Sequence, residues 1–236
     1  MRQVITKFMI IILFGTVPGM WLVSCGQQQE QQTHVQHPQQ HSDATHANEH
    51  MNQIGFENLV KHFEDPARAE WQKPDWVIEQ LGDLSGKTVA DIGSGTGYFA
   101  FRIARKAKKV IAIDIDERFL NYIKEKNDSL HLPIETRLVP PDDPQLAPGE
   151  ADIVIIVDTY HHIGNRPVYF ANVRKKLKPG GFLMVLDFKK KEMPVGPPVK
   201  MKIDVKTVVQ ELIKAGFETF KVDDKTLPYQ YLIIAS

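Results

Sequence analysis

Residues 89–99 read VADIGSGTGYF, an apolar run that ends in the acid Asp91 and runs into glycines at 93, 95 and 97. Residues without a Cβ let the main chain adopt left-handed conformations and approach a ligand closely. A short buried strand, such a turn, and then the amphipathic stretch GYFAFRIARKA (97–107) make the opening strand–turn–helix unit of a ligand-binding α/β sheet. Counting from Gly93, the dinucleotide fingerprint G-x-G-x-x-G requires its third glycine at position 98, which is Tyr98. A phosphate-binding P-loop requires Gly-Lys-Ser/Thr at the helix start, and no lysine stands there.

Outward from this loop the chain alternates strand and helix. KVIAIDID (109–116) reads as a second strand and DERFLNYIKEKN (116–127) as a helix with Asp116 at its N-cap. IETRLV (134–139) is a third strand, ADIVIIVDTY (151–160) a fourth, NRPVYFANVRKKL (165–177) a helix that stops at a Lys-Pro-Gly-Gly turn, and FLMVLDF (182–188) a fifth strand. Short apolar strands separated by helices predict a parallel sheet covered on both faces. The last two runs, FETFKVDD and LPYQYLIIAS, are separated by a turn rather than a helix and are expected to pair antiparallel. Upstream, residues 54–84 read as two helical pieces broken at Pro66 and Pro74, with Asp75 placed to cap the second.

An acid followed by alternating glycines, Asp91-x-Gly93-x-Gly95-x-Gly97, resembles the first motif of class I S-adenosylmethionine-dependent methyltransferases. Asp114 closing the second strand, LKPGG before the fifth, DIVIIVDTYHHI across the fourth and the terminal hairpin match that superfamily in the same order, over most of residues 55–236. The nearest flavour is the type 11/25 group. The resemblance implies a Rossmann-like, doubly wound, seven-stranded sheet in the order 3-2-1-4-5-7-6 with the last strand reversed. It also implies S-adenosyl-L-methionine as cofactor, a small-molecule acceptor, and residues 54–84 lying over the site as a helical lid.

Within the matching motifs, Asp91, Gly93, Ser94, Gly95, Gly97, Asp114, Asp142 and Asp158 are the expected cofactor contacts. Asp114 takes the ribose hydroxyls, as acids at that place do in nucleotide-binding sheets. Asp142, in the loop PPDDP, takes the adenine amine, while both it and Asp143 suit a plain turn equally. Asp158 ends the fourth strand, at the carboxyl edge where ligands bind. His161 and His162 follow it directly, and a histidine beside the transferred methyl suits a general base. Arg68, Trp71 and Trp76 are candidates for a substrate wall.

Lys and Arg total 29, as do Asp and Glu, so net charge gives no pull toward nucleic acid, and none is expected as a partner. The one cysteine, Cys25, excludes disulfides within the chain and thiolate metal clusters. Residues 1–25 have a basic start (Arg2, Lys7), an apolar core from Phe8 to Val17, and the ending Leu22-Val23-Ser24-Cys25. That is the pattern of a secretory signal, and its end resembles the lipobox of bacterial lipoproteins, with Cys25 as the lipidated residue. It predicts an exported domain anchored to a membrane, on the periplasmic or outer-membrane face; an uncleaved anchor helix is the alternative. Residues 26–53 are rich in Gln and His and too polar to form a core, so a tether is expected there. No metal site is expected, because nothing fixes those histidines in a coordination geometry. Beside the methyltransferase reading stand a lipid-anchored, non-catalytic binding module and an NAD-dependent oxidoreductase.

Overall fold

The computed structural model describes residues 54–236; the expected signal, Cys25 and the tether lie outside the described residues. The described chain opens with three short helices, α1 (Phe56–Phe63), α2 (Arg68–Gln72) and α3 (Pro74–Glu79). They replace the two expected pieces, and the break between α2 and α3 is tighter than Pro74 alone suggested. Lys73 takes a left-handed conformation (φ 48°) and caps both helices, with Pro74 at the first helical position. Asp75 therefore sits inside the first turn of α3 and is not its cap, because the helix already starts at the proline.

The sheet forms from β1 (Thr88–Ile92), β2 (Lys109–Asp114), β3 (Ile134–Leu138), β4 (Ala151–Val157), β5 (Leu177–Phe188), β6 (Phe220–Asp223) and β7 (Gln230–Ala235). Its strand order is 3-2-1-4-5-7-6, with β7 antiparallel to both neighbours, as the resemblance implied. Between strands run α4 (Ala100–Ala104), α5 (Glu117–Asp128), α6 (Arg166–Lys176) and α7 (Val205–Lys214). The Asp116 side chain accepts from Arg118 N–H and caps α5, and Asp204 caps α7 in the same way through Lys206 N–H. α4 is shorter than the amphipathic stretch, since residues 96–99 are still turning.

Alternation along the strands splits the core in two. Ala90, Ile92, Ile111, Ile113, Val154 and Ile156 share one cluster with Phe170 and Val173 of α6 and Leu212 of α7. Val89, Val110, Ala112, Ile153 and Ile155 share the other with Val77 and Ile78 of α3 and Phe101 and Ile103 of α4. Burial on both faces explains why the strands read as continuous apolar runs. The expected Lys-Pro-Gly-Gly turn is the first part of β5: Ala151 pairs with Leu177 and Ile153 with Phe182, so residues 178–181 bulge out. A Cβ at Gly181 would stand 2.7 Å from the Asp152 carbonyl oxygen, which keeps that bulge tight. The carboxyl ends of the parallel strands β1, β2 and β4 fall on one edge, and the site is built there.

Candidate active site

Asp91 sits in the middle of the sheet, registered with Ala112 on one side and Ile155 on the other, and is 2% exposed. Burial pushes its carboxyl up to about 7; the nearby Asp114 pushes the same way, while Arg68 and the Ala100 N–H pull it back. Asp114, on the neighbouring strand, is pushed up to about 6 by burial, against the N–H bonds it receives. It accepts from Gly95 N–H at 2.9 Å and Asp116 N–H at 3.0 Å, so one carboxylate fastens the glycine loop to the start of α5.

The loop itself folds over the end of β2, with Gly93 and Ser94 N–H groups both donating to Ile113 O. Gly93 has φ 72°, and a Cβ there would fall 2.3 Å from Thr159 Cγ2. Gly97 serves packing: a Cβ on it would meet the Phe101 ring at 2.9 Å and Ile123 at 3.1 Å. Ser94 Oγ, Thr96 Oγ1 and Tyr98 Oη are buried with no protein partner. Three orphaned hydroxyls beside two acids held above their ordinary range describe a cradle that suits a polar, cationic ligand.

Asp158 follows β4 in a left-handed conformation (φ 53°), its N–H donating to Leu186 O. Its carboxylate accepts from Arg68 Nη2 at 3.3 Å, Gln72 Nε2 at 3.0 Å and Gln230 Nε2. Burial pushes it up to about 6; Arg68 pulls it down and Asp187 pushes it up. Asp158 thus ties the N-terminal helices to β7. Phe63 lies against Gly95 and stacks on Phe119, and the Arg68 guanidinium covers the Tyr98 ring at 4.3 Å. Trp71 packs on Phe188 and Tyr229, each 6.0 Å between centroids, while Trp76, on α3, packs partly buried against the core. Helices α1 and α2 therefore cover the carboxyl edge.

His161 and His162 lie on the 3-10 turn Tyr160–His162, with their rings 4.4 Å apart. His161 is buried and its Nδ1 faces both oxygens of Asp187 at 3.0 Å. The turn is anchored from below: Tyr160 Oη donates to Glu211 Oε2 at 2.8 Å, and Arg166 bonds both oxygens of the same carboxylate. Asp142 is exposed in the loop after β3. Asp143 accepts from Gln145 N–H and Asn172 Nδ2, which is the turn role. No group of three or more metal-ligating side chains exists among the described residues.

Four participants carried no weight in the sequence reading: Asp187, Gln72, Gln230 and Glu211. Asp187 offered the same signal as Asp91 and Asp114, an acid near the end of an apolar strand. The two glutamines offered none, since an amide in a helix or strand is ordinarily a surface residue.

Residues 90–185 match the profile of a family described as "Methyltransferase domain". The chain is 31% identical over 109 residues to "Ubiquinone biosynthesis O-methyltransferase" of Acinetobacter baylyi, covering 45% of this chain and 46% of that one. It is 26% identical over 158 residues to "Phosphoethanolamine N-methyltransferase 3" of Arabidopsis thaliana, covering 63% and 32%. The chain thus spans less than half the length of these two relatives. The crystal structure of a SAM dependent methyltransferase from Aquifex aeolicus superposes with a TM-score of 0.71 and 26% identity, over 77% of this chain and 98% of that one. The fold is the seven-stranded, Rossmann-like methyltransferase fold.

Proposed function

We propose that this chain is an S-adenosylmethionine-dependent methyltransferase acting on a small-molecule acceptor through an oxygen, nitrogen or carbon atom. The observation that carries the reading is the cradle at the carboxyl edge of β1 and β2: two buried acids, a loop whose backbone is free to approach a ligand, and hydroxyls lacking partners. When bound, S-adenosylmethionine supplies a methyl group on a sulfonium, transferred with the C–S electron pair returning to sulfur. Asp91 would hold the ligand's ammonium group and Asp114 its ribose hydroxyls. Ser94 and the loop backbone around Gly93 and Gly95 lie between them, and Asp142 is the candidate for the adenine amine. The helices α1 and α2 keep water out of the edge, so that each electrostatic contact acts in a low dielectric. Much of methyl transfer is alignment of donor and acceptor, which a covered cradle provides.

The finer placement, in the type 11/25 group, draws support from the matched profile. The membrane anchor through Cys25 and an exported location rest on the order of basic, apolar and small residues before that cysteine.

Calorimetry on the full chain tests the cofactor. S-adenosylmethionine is expected to bind and NAD not to, because Tyr98 stands where the third dinucleotide glycine belongs. A cation binds the ionised form of a carboxyl. Since Asp91 and Asp114 hold their protons up to about 7 and about 6, affinity rises with pH through that range until the ligand's own ammonium begins to lose its proton, at about 8. Asp114→Asn is expected to cost about 10- to 100-fold, the order of a lost charge-assisted hydrogen bond. Absence of binding at millimolar cofactor overturns the reading.

A further inference from the structure

We infer that Asp187 is a positioning residue that holds His161 as a proton acceptor at Nε2, for an acceptor molecule whose attacking atom brings a proton with it. This rests on the proposed methyl transfer and assigns its proton. Asp187 stands on β5, in register with Tyr231 on β7, with its side chain 1% exposed. Its carboxylate is given over to the dyad and the adjoining backbone. Both oxygens face His161 Nδ1 at 3.0 Å, Oδ2 also accepts the His161 N–H at 3.2 Å, and Oδ1 accepts the Phe188 N–H at 2.7 Å.

An acceptor-only group at Nδ1 requires the proton on that nitrogen, which leaves the lone pair of neutral His161 on Nε2. A base whose second nitrogen is oriented by a buried carboxylate is the arrangement of activated sites generally. A pair kept for stability alone is poorly explained here, because apolar residues of similar volume commonly do as well as a buried ion pair. Its place is also specific: the turn that carries His161 follows Asp158, on the edge covered by α1 and α2.

The charged groups that face the ring come from several elements. Burial alone pulls the imidazole down, but Asp187 on β5 and Asp158 after β4 raise it, against Arg166 on α6, so the balance lies above its ordinary value. His162 adds a neighbouring ring on the same turn. A hydroxyl or protonated amine gives one proton to Nε2, freeing the lone pair that takes the methyl, and Nε2 then releases that proton to solvent. An acceptor atom that carries no proton would have no use for such a base.

Diethyl pyrocarbonate, which acylates only unprotonated imidazole nitrogen, reads the dyad without any acceptor. The full-length chain is treated across the pH range around neutrality and the modified histidines are mapped by mass spectrometry. His161 is expected to react despite its burial, with a midpoint above that of a free histidine, and the midpoint is expected to fall in Asp187→Asn, because the carboxylate that favours the charged ring is gone. Carbon-13 shifts of the wild-type His161 ring give a second readout that needs no variant: the Nδ1–H tautomer is expected. A ring inert at alkaline pH, a midpoint unmoved by Asp187→Asn, or the Nε2–H tautomer would each overturn the inference. None of these measurements uses bound donor. Failure of cofactor binding in the calorimetry would therefore strike the proposed reaction, and failure here would strike the dyad alone.

Discussion

Gly93 and Thr159 belong to loops 66 residues apart in sequence, and their contact shows how closely the first loop is set. The backbone at Gly93 is left-handed, and a methyl group there would overlap the threonine side chain at 2.3 to 2.8 Å. Gly149 has nearly the same backbone (φ 66°) with open space around it. Gly149→Ala is thus expected to lose only the left-handed penalty, about 1 kcal/mol. Gly93→Ala adds overpacking and is expected to lose about 1–3 kcal/mol more, together with cofactor binding. Urea unfolding of the two variants checks this; equal losses would mean that Thr159 yields freely. At this scale the sequence was most readable where backbone chemistry restricts the residue. The alternating glycines and the strand-ending acids Asp91 and Asp114 could be found because few residue types serve there. Gln72 and Gln230 could not, since their role exists only once α2 and β7 meet over Asp158.

The strands were legible because the central ones are buried on both faces, and the long helices because each buries one, so period and length declare them. The short helices before β1 were less so. Lys73 in a left-handed conformation joins two of them, and no local pattern asks a lysine to do that. What holds α1 and α2 down is tertiary. Asp158 receives Arg68, Gln72 and Gln230, Lys126 on α5 pairs with Glu64 at 3.0 Å, and the aromatic contacts of Phe63 and Trp71 complete the cover. Asp158→Ala removes the shared acceptor and leaves the Arg68 charge without its pair. Breaking a fully buried pair costs about 3–5 kcal/mol when the structure cannot relax; this pair is only part-buried and the helices can lift away, so a smaller cost emerges as local opening. Amide exchange of residues 56–72 is expected to accelerate about 10- to 100-fold, an opening made easier by about 1.4–2.8 kcal/mol, while α3, whose Val77 and Ile78 belong to the core, and β1, β4 and β5 keep their protection. If the whole sheet accelerates equally, the helices are part of the global fold and not a separable cover.

For the molecule as a whole, the same acids that suit the site work against the unliganded fold at neutral pH. A carboxyl raised by folding lends stability that is complete below its unfolded value, near 4, and is lost as pH climbs through its folded value. Asp91, Asp114 and Asp158 all behave so, with folded values of about 7, 6 and 6. His161, also raised, loses its contribution in the upper part of the same window. On the acid side the order reverses. Hydrogen bonds from Arg137 hold Glu150 down to about 2, and Glu135 is lowered by Lys109 and Arg137. Those groups add stability that is lost as pH falls through their folded values. The ligand-free protein is therefore expected to be most stable near pH 4 to 5, below the range of about 5 to 8 where most proteins peak, and to lose stability steadily toward pH 8. Scanning calorimetry at constant ionic strength measures this, and a melting temperature that climbs through pH 7 would refute it. Asp91→Asn is expected to flatten the falling limb, since an amide has no proton to lose. Saturating S-adenosylmethionine should raise the melting temperature more at pH 7.5 than at pH 5, because the bound cation favours the ionised acids that the unliganded protein disfavours.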